Sequence, residues 1–264
     1  MTVDDTPYTI TAGSAGSPVI LHVPHGSRAI PPAVRTGILL DDDALATELD
    51  HMTDAHTTVI AERAAAQAAI PPWRFANELS RLVIDPERFP DEREEMRGVG
   101  MGAVYTRTSD GLRLREDDPA AEQALLDAYF RPYAAAMTGC VQDRLDAVGR
   151  AVVIDVHSYP AAPLPYELHA DGPRPAVCLG TDPFHTPGWL LDAAREAFAG
   201  CDTVGLDSPF AGAYVPLRHY GAVREVSALM IEIRRDVDGP AGIDRLVRAL
   251  ADLVDQSGIR KRAA

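Results

Sequence analysis

The stretch "AVVIDVHSYP", residues 151–160, decides the fold, because an apolar run ends there in two ionisable side chains. Residues 152–154 are typical of a buried strand. Asp155 and His157 follow two residues apart, and therefore on one face of that strand. In α/β proteins, sites are built where the strands end. The stretch thus predicts a strand over 151–157 with a functional site at its end.

The composition is that of a globular chain with an acidic bias. Its 264 residues fit one large α/β domain or two small ones. No internal repeat or low-complexity linker interrupts them, so we expect a single domain over residues 1–264. Hydrophobic residues make up 46% and charged residues 24%, as is ordinary for a soluble protein. The net charge of −14 argues against nucleic acid or an anionic membrane as the main partner.

The cysteines and the N-terminal segment favour a cytoplasmic protein. Cys140, Cys178 and Cys201 lie far apart without a C-x-x-C motif, so neither a disulfide framework nor a cysteine zinc knuckle is indicated. The segment "MTVDDTPYTITAG" lacks the apolar core of a signal peptide. No apolar run reaches the ~18 residues of a membrane span. We therefore expect a reduced, cytoplasmic setting and no membrane partner.

Predicted strands and helices alternate along the chain, which favours a mainly parallel sheet with helices on both faces. A long helix-forming stretch is expected to bend near Asp50, and a second helix to bend at Pro132. The predicted strands are 18–23, two short strands within 71–85, 151–157, one within 174–182 and one within 226–235; the predicted helices lie within 41–67, 119–148, 186–200 and 240–256.

Four ionisable residues are predicted to lie at or near strand ends or a helix start: His25, Asp50, His157 and Glu232. Two imidazoles and one carboxylate match the ligands of a catalytic zinc with an open fourth position. A separate carboxylate would then be free to act as a general base. Taken alone, His25 is also typical of a surface loop and Asp50 of a solvated helix. Glu232, in "LMIEIRR", either pairs with an arginine or faces a site, because an unpaired buried carboxylate is costly.

A serine triad is a weaker interpretation of the same strand end. Adjacent Ser158 and His157 side chains point apart on a strand, and the chain has no G-x-S-x-G elbow. Arginine offers a different chemistry, because its planar fork suits a carboxylate. Arg81 and Arg88 lie in "ELSRLVIDPERFP" and Arg218 in "PLRHYG", although ion pairs with the many acidic residues would also account for them.

The chain resembles the N-formylglutamate amidohydrolase family in segments that follow the family's order and span residues 18–235. These segments are "VPHGSRAIP", "ELDHMTDAH", "LSRLVIDPERFPDE", "GLRLRE", "VVIDVHSYP", "RHYG" and "ALMIEI". The resemblance implies a relative of the zinc carboxypeptidases and aspartoacylase-type deacylases. It implies a central mixed, mainly parallel sheet flanked by helices, and one zinc ion per chain.

The resemblance also implies roles for individual residues. His25 matches the histidine of the family's P-H-[SAG]-G segment, and His157 that of D-x-H-S. Asp50 matches the aspartate of a T-D-W-like segment, with Asp54 as a second acidic position there. Glu232 matches the glutamate that activates water in the carboxypeptidases. The substrate-binding matches are Arg81, Arg88, Arg218 and Tyr220, with His219 between the last two.

Three positions depart from the family pattern. Carboxypeptidases use H-x-x-E, but Arg28 stands three residues after His25, so the carboxylate ligand must come from elsewhere and Asp50 is the candidate. "HGSR" replaces the usual H-S-G or H-A-G order. "DPER" replaces D-L-N-R and puts Glu87 where an asparagine is expected.

The function implied by the resemblance is zinc-dependent hydrolysis of an N-formyl or other short N-acyl amino acid. His25, Asp50 and His157 would bind the zinc, and Asp155 would orient a ligand from behind. Glu232 would take a proton from water, and an arginine would hold the substrate carboxylate. The alternatives are a deacylase for larger acyl groups, a small carboxypeptidase, or a metal-free relative that binds acidic metabolites.

Overall fold

Within residues 6–168, 170–237 and 239–259, which are those that the computed structural model describes, seven strands form one mixed sheet. The strands are β1 (Tyr8–Thr11), β2 (Val19–Val23), β3 (Trp73–Asn77), β4 (Ala151–Tyr159), β5 (Val177–Gly180), β6 (Val204–Leu206) and β7 (Val226–Arg234). They lie in the order β1-β3-β2-β4-β7-β5-β6. The pairs β1–β3 and β5–β7 are antiparallel, and the other four neighbouring pairs are parallel. The predicted mixed, mainly parallel sheet is therefore confirmed.

Helices cover both faces of the sheet. The helices are α1 (Pro32–Arg35), α2 (Asp42–Met52), α3 (Thr57–Gln67), α4 (Pro119–Leu125), α5 (Arg131–Val148), α6 (Gly188–Ala197) and α7 (Gly239–Ile259). Helices α3, α6 and α7 build one apolar layer with Leu21 and Ile154 of the sheet. Helix α5 builds the other layer, against Ile20 and Val153. None of the helices in the described part of the chain is long and apolar enough to cross a membrane.

Strand β4 shows how the sequence directs its side chains. All nine of its residues are buried. Val152, Ile154 and Val156 face the layer formed by α3, α6 and α7. Val153 faces α5, and the same face continues through Asp155 to His157 because side chains alternate along a strand. The apolar part of the strand thus anchors it in the core, and its last residues present polar groups at the carboxyl end of the strand.

Several local predictions differ from the structure. The segment 71–85 forms one strand, not two: residues 81–83 make a turn, and Leu82 and Ile84 are buried in two separate apolar clusters. The stretch 41–67 does break near Asp50, as predicted, with the helix ending at Met52. Helices α4 and α5 are joined by a π turn, Leu126–Phe130, just before Pro132, which has no N–H to donate.

The fold places a crevice at the carboxyl ends of β2 and β4. Strand β2 lies between β3, which follows it in the chain, and β4, which pairs on its other side. Connections that leave a parallel sheet in opposite directions open such a crevice, and ligands bind there. His25 follows the end of β2, and His157 lies near the end of β4.

Candidate metal centre and active site

Two histidine rings meet in the crevice. His25 and His157 are buried, with exposed fractions of 2% and 4%, and their Nδ1 atoms lie 3.3 Å apart. The Asn77 amide donates to the carbonyl of Pro24 at 2.9 Å, which fixes the turn that carries His25. His157 is fixed by the pairing of β4 between β2 and β7. The structure therefore brings together two of the three metal ligands that the sequence predicts.

Asp54 completes this cluster. Its Oδ2 atom lies 3.0 Å from His157 Nδ1 and 3.7 Å from His25 Nδ1. The carboxylate is buried and also accepts a hydrogen bond from the Ser158 backbone N–H at 3.2 Å. The Asp54 N–H donates to the carbonyl of His25 at 3.0 Å, so the two ligand-bearing segments hold each other. His25, Asp54 and His157 form a group that could hold a metal ion.

The spacing of these three atoms fits a tetrahedral metal. Ligand atoms at about 2.0–2.1 Å from a tetrahedral zinc lie about 3.3 Å from one another. The three observed separations are 3.0, 3.3 and 3.7 Å. Two imidazole nitrogens and one carboxylate oxygen are also the donor types of catalytic zinc sites. The residues present therefore suit a divalent metal in geometry and in chemistry.

Each histidine also faces a carboxylate on its far side. His25 Nε2 lies 2.9 Å from Asp85 Oδ1. His157 Nε2 lies 3.0 Å from Asp155 Oδ2 and 3.1 Å from Glu87 Oε2, without a well-aligned hydrogen bond to either. Carboxylates behind metal-ligating histidines fix the tautomer and raise the basicity of the ring. Both rings are thus arranged to direct Nδ1 toward the metal position.

Asp50, which the sequence predicts as the third ligand, lies elsewhere. Its side chain is 71% exposed and pairs with Arg28, with Nη1 of the arginine 2.5 Å from Oδ1. Asp50 lies within helix α2, whereas the chain leaves that helix at Met52 and turns inward. The described structure does not place Asp50 in the cluster with the two histidines, and Asp54 holds that place instead. In the sequence, the pair Thr53-Asp54 was the signal that matches the T-D segment.

Glu232 stands beside His157 in the sheet. The two residues are direct partners in the parallel pairing of β4 with β7. Glu232 is buried, and its Oε2 atom has no hydrogen-bond partner among the described residues. Burial raises the pKa of Glu232 to about 8, with the charge of Asp54 adding to the rise and that of His157 opposing it. No arginine forms an ion pair with it within the described residues, so the structure favours the site-facing alternative over the structural ion pair.

Arg81 lies against the same cluster. Its Nη2 atom contacts Asp85 Oδ2 at 2.6 Å, and its Nη1 atom lies 3.7 Å from Asp54 Oδ1. Its Nε donates to the hydroxyl of Tyr105 at 3.0 Å. Burial lowers the pKa of Arg81, but the charge of Asp85 outweighs this and keeps the pKa well above the usual value. The guanidinium is therefore a fixed positive charge next to the metal position.

Arg88 has more free donors than Arg81. Its side chain is half-buried, and its ion-pair contacts are long, 3.6 Å to Asp85 Oδ2 and 3.6 Å to Glu94 Oε1. The buried Nε atom has no hydrogen-bond partner among the residues described. A guanidinium held in place with unused donors is suited to bind an incoming carboxylate.

Arg218 and Tyr220 lie on an exposed turn. Arg218 forms no hydrogen bond or ion pair with any residue that the structure describes, and Tyr220 is 43% exposed. The Tyr220 ring stacks on His185 and lies 6.2 Å from the ring of Phe89, the neighbour of Arg88. Tyr220 therefore borders the same side of the crevice as Arg88, whereas the structure gives Arg218 no contact with the histidine cluster.

Arg235 is a site residue that sequence reasoning missed. Its Nη2 atom lies 3.2 Å from Asp54 Oδ1 and 3.0 Å from the carbonyl of Ser158, and its Nη1 donates to the carbonyl of His51 at 2.7 Å. The Arg235 guanidinium therefore links the end of α2 to the end of β4. The sequence feature that could have identified Arg235 is its position directly after the strand that contains Glu232, one residue beyond β7.

Comparisons with known proteins bear on the family and on the fold. A family model described as N-formylglutamate amidohydrolase matches residues 17–237. The solved structure of N-formylglutamate amidohydrolase from Ralstonia eutropha JMP134 has a TM-score of 0.76 at 22% identity, covering 95% of this chain and 96% of that one. A gene product of Agrobacterium tumefaciens has a TM-score of 0.72 at 20% identity, covering 96% and 94%. At such identities the two structures show a shared fold. No curated protein matches the sequence.

Proposed function

Because this chain belongs to the N-formylglutamate amidohydrolase family, and is thus a hydrolase of amides, we propose that it cleaves an N-formyl or other short N-acyl amino acid with one zinc ion bound by His25, Asp54 and His157. The products would be formate, or another short carboxylic acid, and the free amino acid. The observation that carries the proposal is the convergence of two Nδ1 atoms and one carboxylate oxygen within 3.7 Å in a buried crevice.

Glu232 is the proposed proton carrier. A zinc ion in this cluster would polarise the amide carbonyl and lower the pKa of a water molecule. Glu232, next to His157 in the sheet and with Oε2 unpartnered among the described residues, would accept the proton of the attacking water. It would then deliver that proton to the nitrogen of the leaving amino acid. A carboxyl whose pKa is raised by burial suits both steps, because it binds and releases a proton near neutral pH.

Two arginines would handle the negative charges of the reaction. Arg81, whose guanidinium is already oriented by Asp85 and Tyr105, would stabilise the charge that develops on the carbonyl oxygen. Arg88, with its unused donors, would hold the carboxylate of the substrate. Tyr220 would contact the substrate from the rim, and Arg218 stays a prediction for the same role. A cytoplasmic location also stays a prediction.

The experiment is a metal analysis followed by a substrate panel. We expect the purified protein to contain about one zinc per chain. On N-formyl, N-acetyl and N-succinyl forms of the same amino acids, we expect the highest kcat/KM for a short acyl group, and little hydrolysis of a peptide bond before a C-terminal residue. A protein without metal, or one that prefers the peptides, would contradict the proposal.

A further inference from the structure

We propose that Tyr133 and His22 are positioning residues, which set the proton and the orientation of the ligand His157 through the carboxylate of Asp155. The inference rests on the proposed metal site and adds two residues that neither touch the metal position nor line the substrate crevice. It explains why His22 of β2 and the hydroxyl of Tyr133 in α5 are polar groups in a buried position.

The four residues form one continuous buried path. The Tyr133 hydroxyl lies 2.5 Å from His22 Nε2, and His22 Nδ1 lies 2.9 Å from Asp155 Oδ1. The other oxygen of Asp155, Oδ2, lies 3.0 Å from His157 Nε2. Tyr133 and His22 are fully buried, and Asp155 is 1% exposed. Water does not reach these groups, so the protein must satisfy them, and the close contact between His157 Nε2 and Asp155 is the one step of the path that is not a well-aligned hydrogen bond.

The direction of each proton follows from the partners. An ionised carboxylate only accepts, so both rings that face Asp155 carry their proton on the facing nitrogen. For His22 this nitrogen is Nδ1, and for His157 it is Nε2. Nε2 of a neutral His22 then has a lone pair, and the Tyr133 hydroxyl donates to it. His157 Nδ1 forms a hydrogen bond with Asp54 Oδ2, so a metal ion would have to displace the proton from Nδ1 and would leave the proton on Nε2, which faces Asp155.

Aromatic packing holds the path in place. The Tyr214 ring stacks on the His22 ring at 4.7 Å between centroids. The Tyr133 ring meets Phe75 edge-on at 4.9 Å. His22 and Asp155 are also direct partners in the pairing of β2 with β4. The imidazole thus reaches Asp155, and the hydroxyl reaches the imidazole, from rigid elements, and a ligand oriented in this way needs little rearrangement to bind metal.

A second cation is the rival explanation of the same residues. His22, Glu87 and Asp155 also form a group that could hold a metal ion. Such an ion would need the lone pair of His22 Nδ1, which the path assigns to an N–H. Charge is a second objection. Five carboxylates stand in the region (Asp54, Asp85, Glu87, Asp155 and Glu232) with three guanidiniums (Arg81, Arg88 and Arg235), so these charges sum to −2, or to −1 when Glu232 is protonated, and a single divalent ion already offsets them.

The first test removes one hydroxyl. Tyr133→Phe keeps the ring packing but takes the donor from His22 Nε2, and we expect zinc affinity to fall about tenfold, as for other partners behind metal ligands. Affinity is measured by competition with a chelator of known strength, and melting is measured on the metal-free proteins. Tyr159→Phe is the matched control, because that hydroxyl is also buried but donates to the carbonyl of Pro175. The control should leave zinc affinity unchanged.

The second test separates positioning from packing at His22. In His22→Asn the amide can replace the Nδ1–H donor to Asp155, whereas His22→Leu fills the space without a donor. A positioning role predicts that Asn keeps most of the zinc affinity and that Leu loses about 10- to 100-fold. A packing role predicts the opposite order, with Leu the better replacement in an apolar layer.

The outcomes distinguish this inference from the proposed function. A wild-type protein with one zinc, together with unchanged affinity in Tyr133→Phe and His22→Leu, overturns the inference and leaves the function standing. Two bound zinc ions per chain, one of them lost in His22→Leu, also overturn it in favour of the second cation. A wild-type protein that binds no zinc removes the proposed function itself.

Discussion

At the scale of single residues, Asp54 lies among four ionisable side chains of the site. His25 and His157 face its Oδ2, and Arg81 and Arg235 face its Oδ1. Burial alone would raise the pKa of Asp54, but hydrogen bonds from His157 and His25 bring it well below the usual value. Asp54 therefore stays ionised in the interior and supplies the one negative charge among the three proposed metal ligands.

We expect Asp54→Asn to lower zinc affinity by at least about 100-fold, because the amide keeps the shape of the ligand but not its charge. The neighbouring cations lose their partner, so the melting temperature should fall as well. Asp50→Asn is the matched control at an exposed position, and it should keep full zinc content and stability. Isothermal titration with zinc and thermal melting of both variants decide the matter. The reverse pattern would restore Asp50 as the ligand.

The assignment of the third ligand shows where sequence reasoning stops. His25 and His157 could be predicted as site residues because each lies at or just after the end of a strand, and apolar runs in the sequence indicate where strands end. The choice between Asp50 and Asp54 depends on where helix α2 ends, and boundaries are the least predictable feature of an element. The inward turn is stabilised by contacts with His25 and Arg235, both distant in sequence. No local pattern contains that information.

At the scale of elements, the pairing of β4 with β7 sets the spacing of the proposed ligand and base. His157 and Glu232 are opposite one another in a parallel ladder that runs over nine residue pairs. Neighbouring strands lie about 4.8 Å apart, and a slip of β7 by one residue would turn Glu232 to the face opposite His157. The reacting groups are thus held by backbone hydrogen bonds rather than by a loop.

We expect Glu232→Gln to reduce kcat by about 10²–10⁴, because an amide cannot accept the proton of water near neutral pH. Zinc content and melting temperature should stay close to those of the wild type, since no described arginine depends on this carboxylate for an ion pair. Single-turnover kinetics with an N-formyl amino acid, alongside metal analysis, make the measurement. Near-normal turnover would remove the base assignment, whereas a collapse of stability would point to a structural role.

The elements divide into those that the sequence predicts and those that it does not. Strands β4 and β7 are predicted because nearly continuous burial produces long apolar runs. Strands β1 and β6 were missed because they are short, mostly exposed strands at the two edges of the sheet. The run Leu82–Ile84 looked like a strand, yet its apolar side chains are buried from a turn. An apolar run indicates that side chains are buried, and a segment can bury its side chains without pairing in a sheet.

At the scale of the whole molecule, the metal position lies where the sheet, the break after α2 and the turn after β2 meet. The proposed ligands come from residues 25, 54 and 157, so one ion would join segments that are far apart in the chain. The carboxylates around this position repel one another when no cation is bound. The chain as a whole also carries a net charge of −14, which these carboxylates are part of. Metal binding and folding are therefore expected to be coupled.

We expect a chelator to lower the melting temperature, and added zinc to restore it. With free zinc at a hundredfold excess over Kd, binding to the folded state contributes about 2.7 kcal/mol, which corresponds to roughly 5–10 °C for a chain of this size. Scanning calorimetry with and without chelator measures the shift. Asp54→Asn should melt at the same temperature in both conditions, and a chelator-independent wild type would contradict the coupling.

The placement of His157 and Glu232 on paired strands also bears on how relatives of this chain diverge. The spacing of these two residues is set by the peptide groups of the ladder, which every sequence shares, so it tolerates extensive replacement of side chains elsewhere. The solved N-formylglutamate amidohydrolase keeps the fold at only 22% identity. The exposed turn that bears Tyr220, by contrast, carries no part of the ladder. Substitutions in such a turn can therefore change the side chains around the site without moving the backbone that spaces His157 and Glu232.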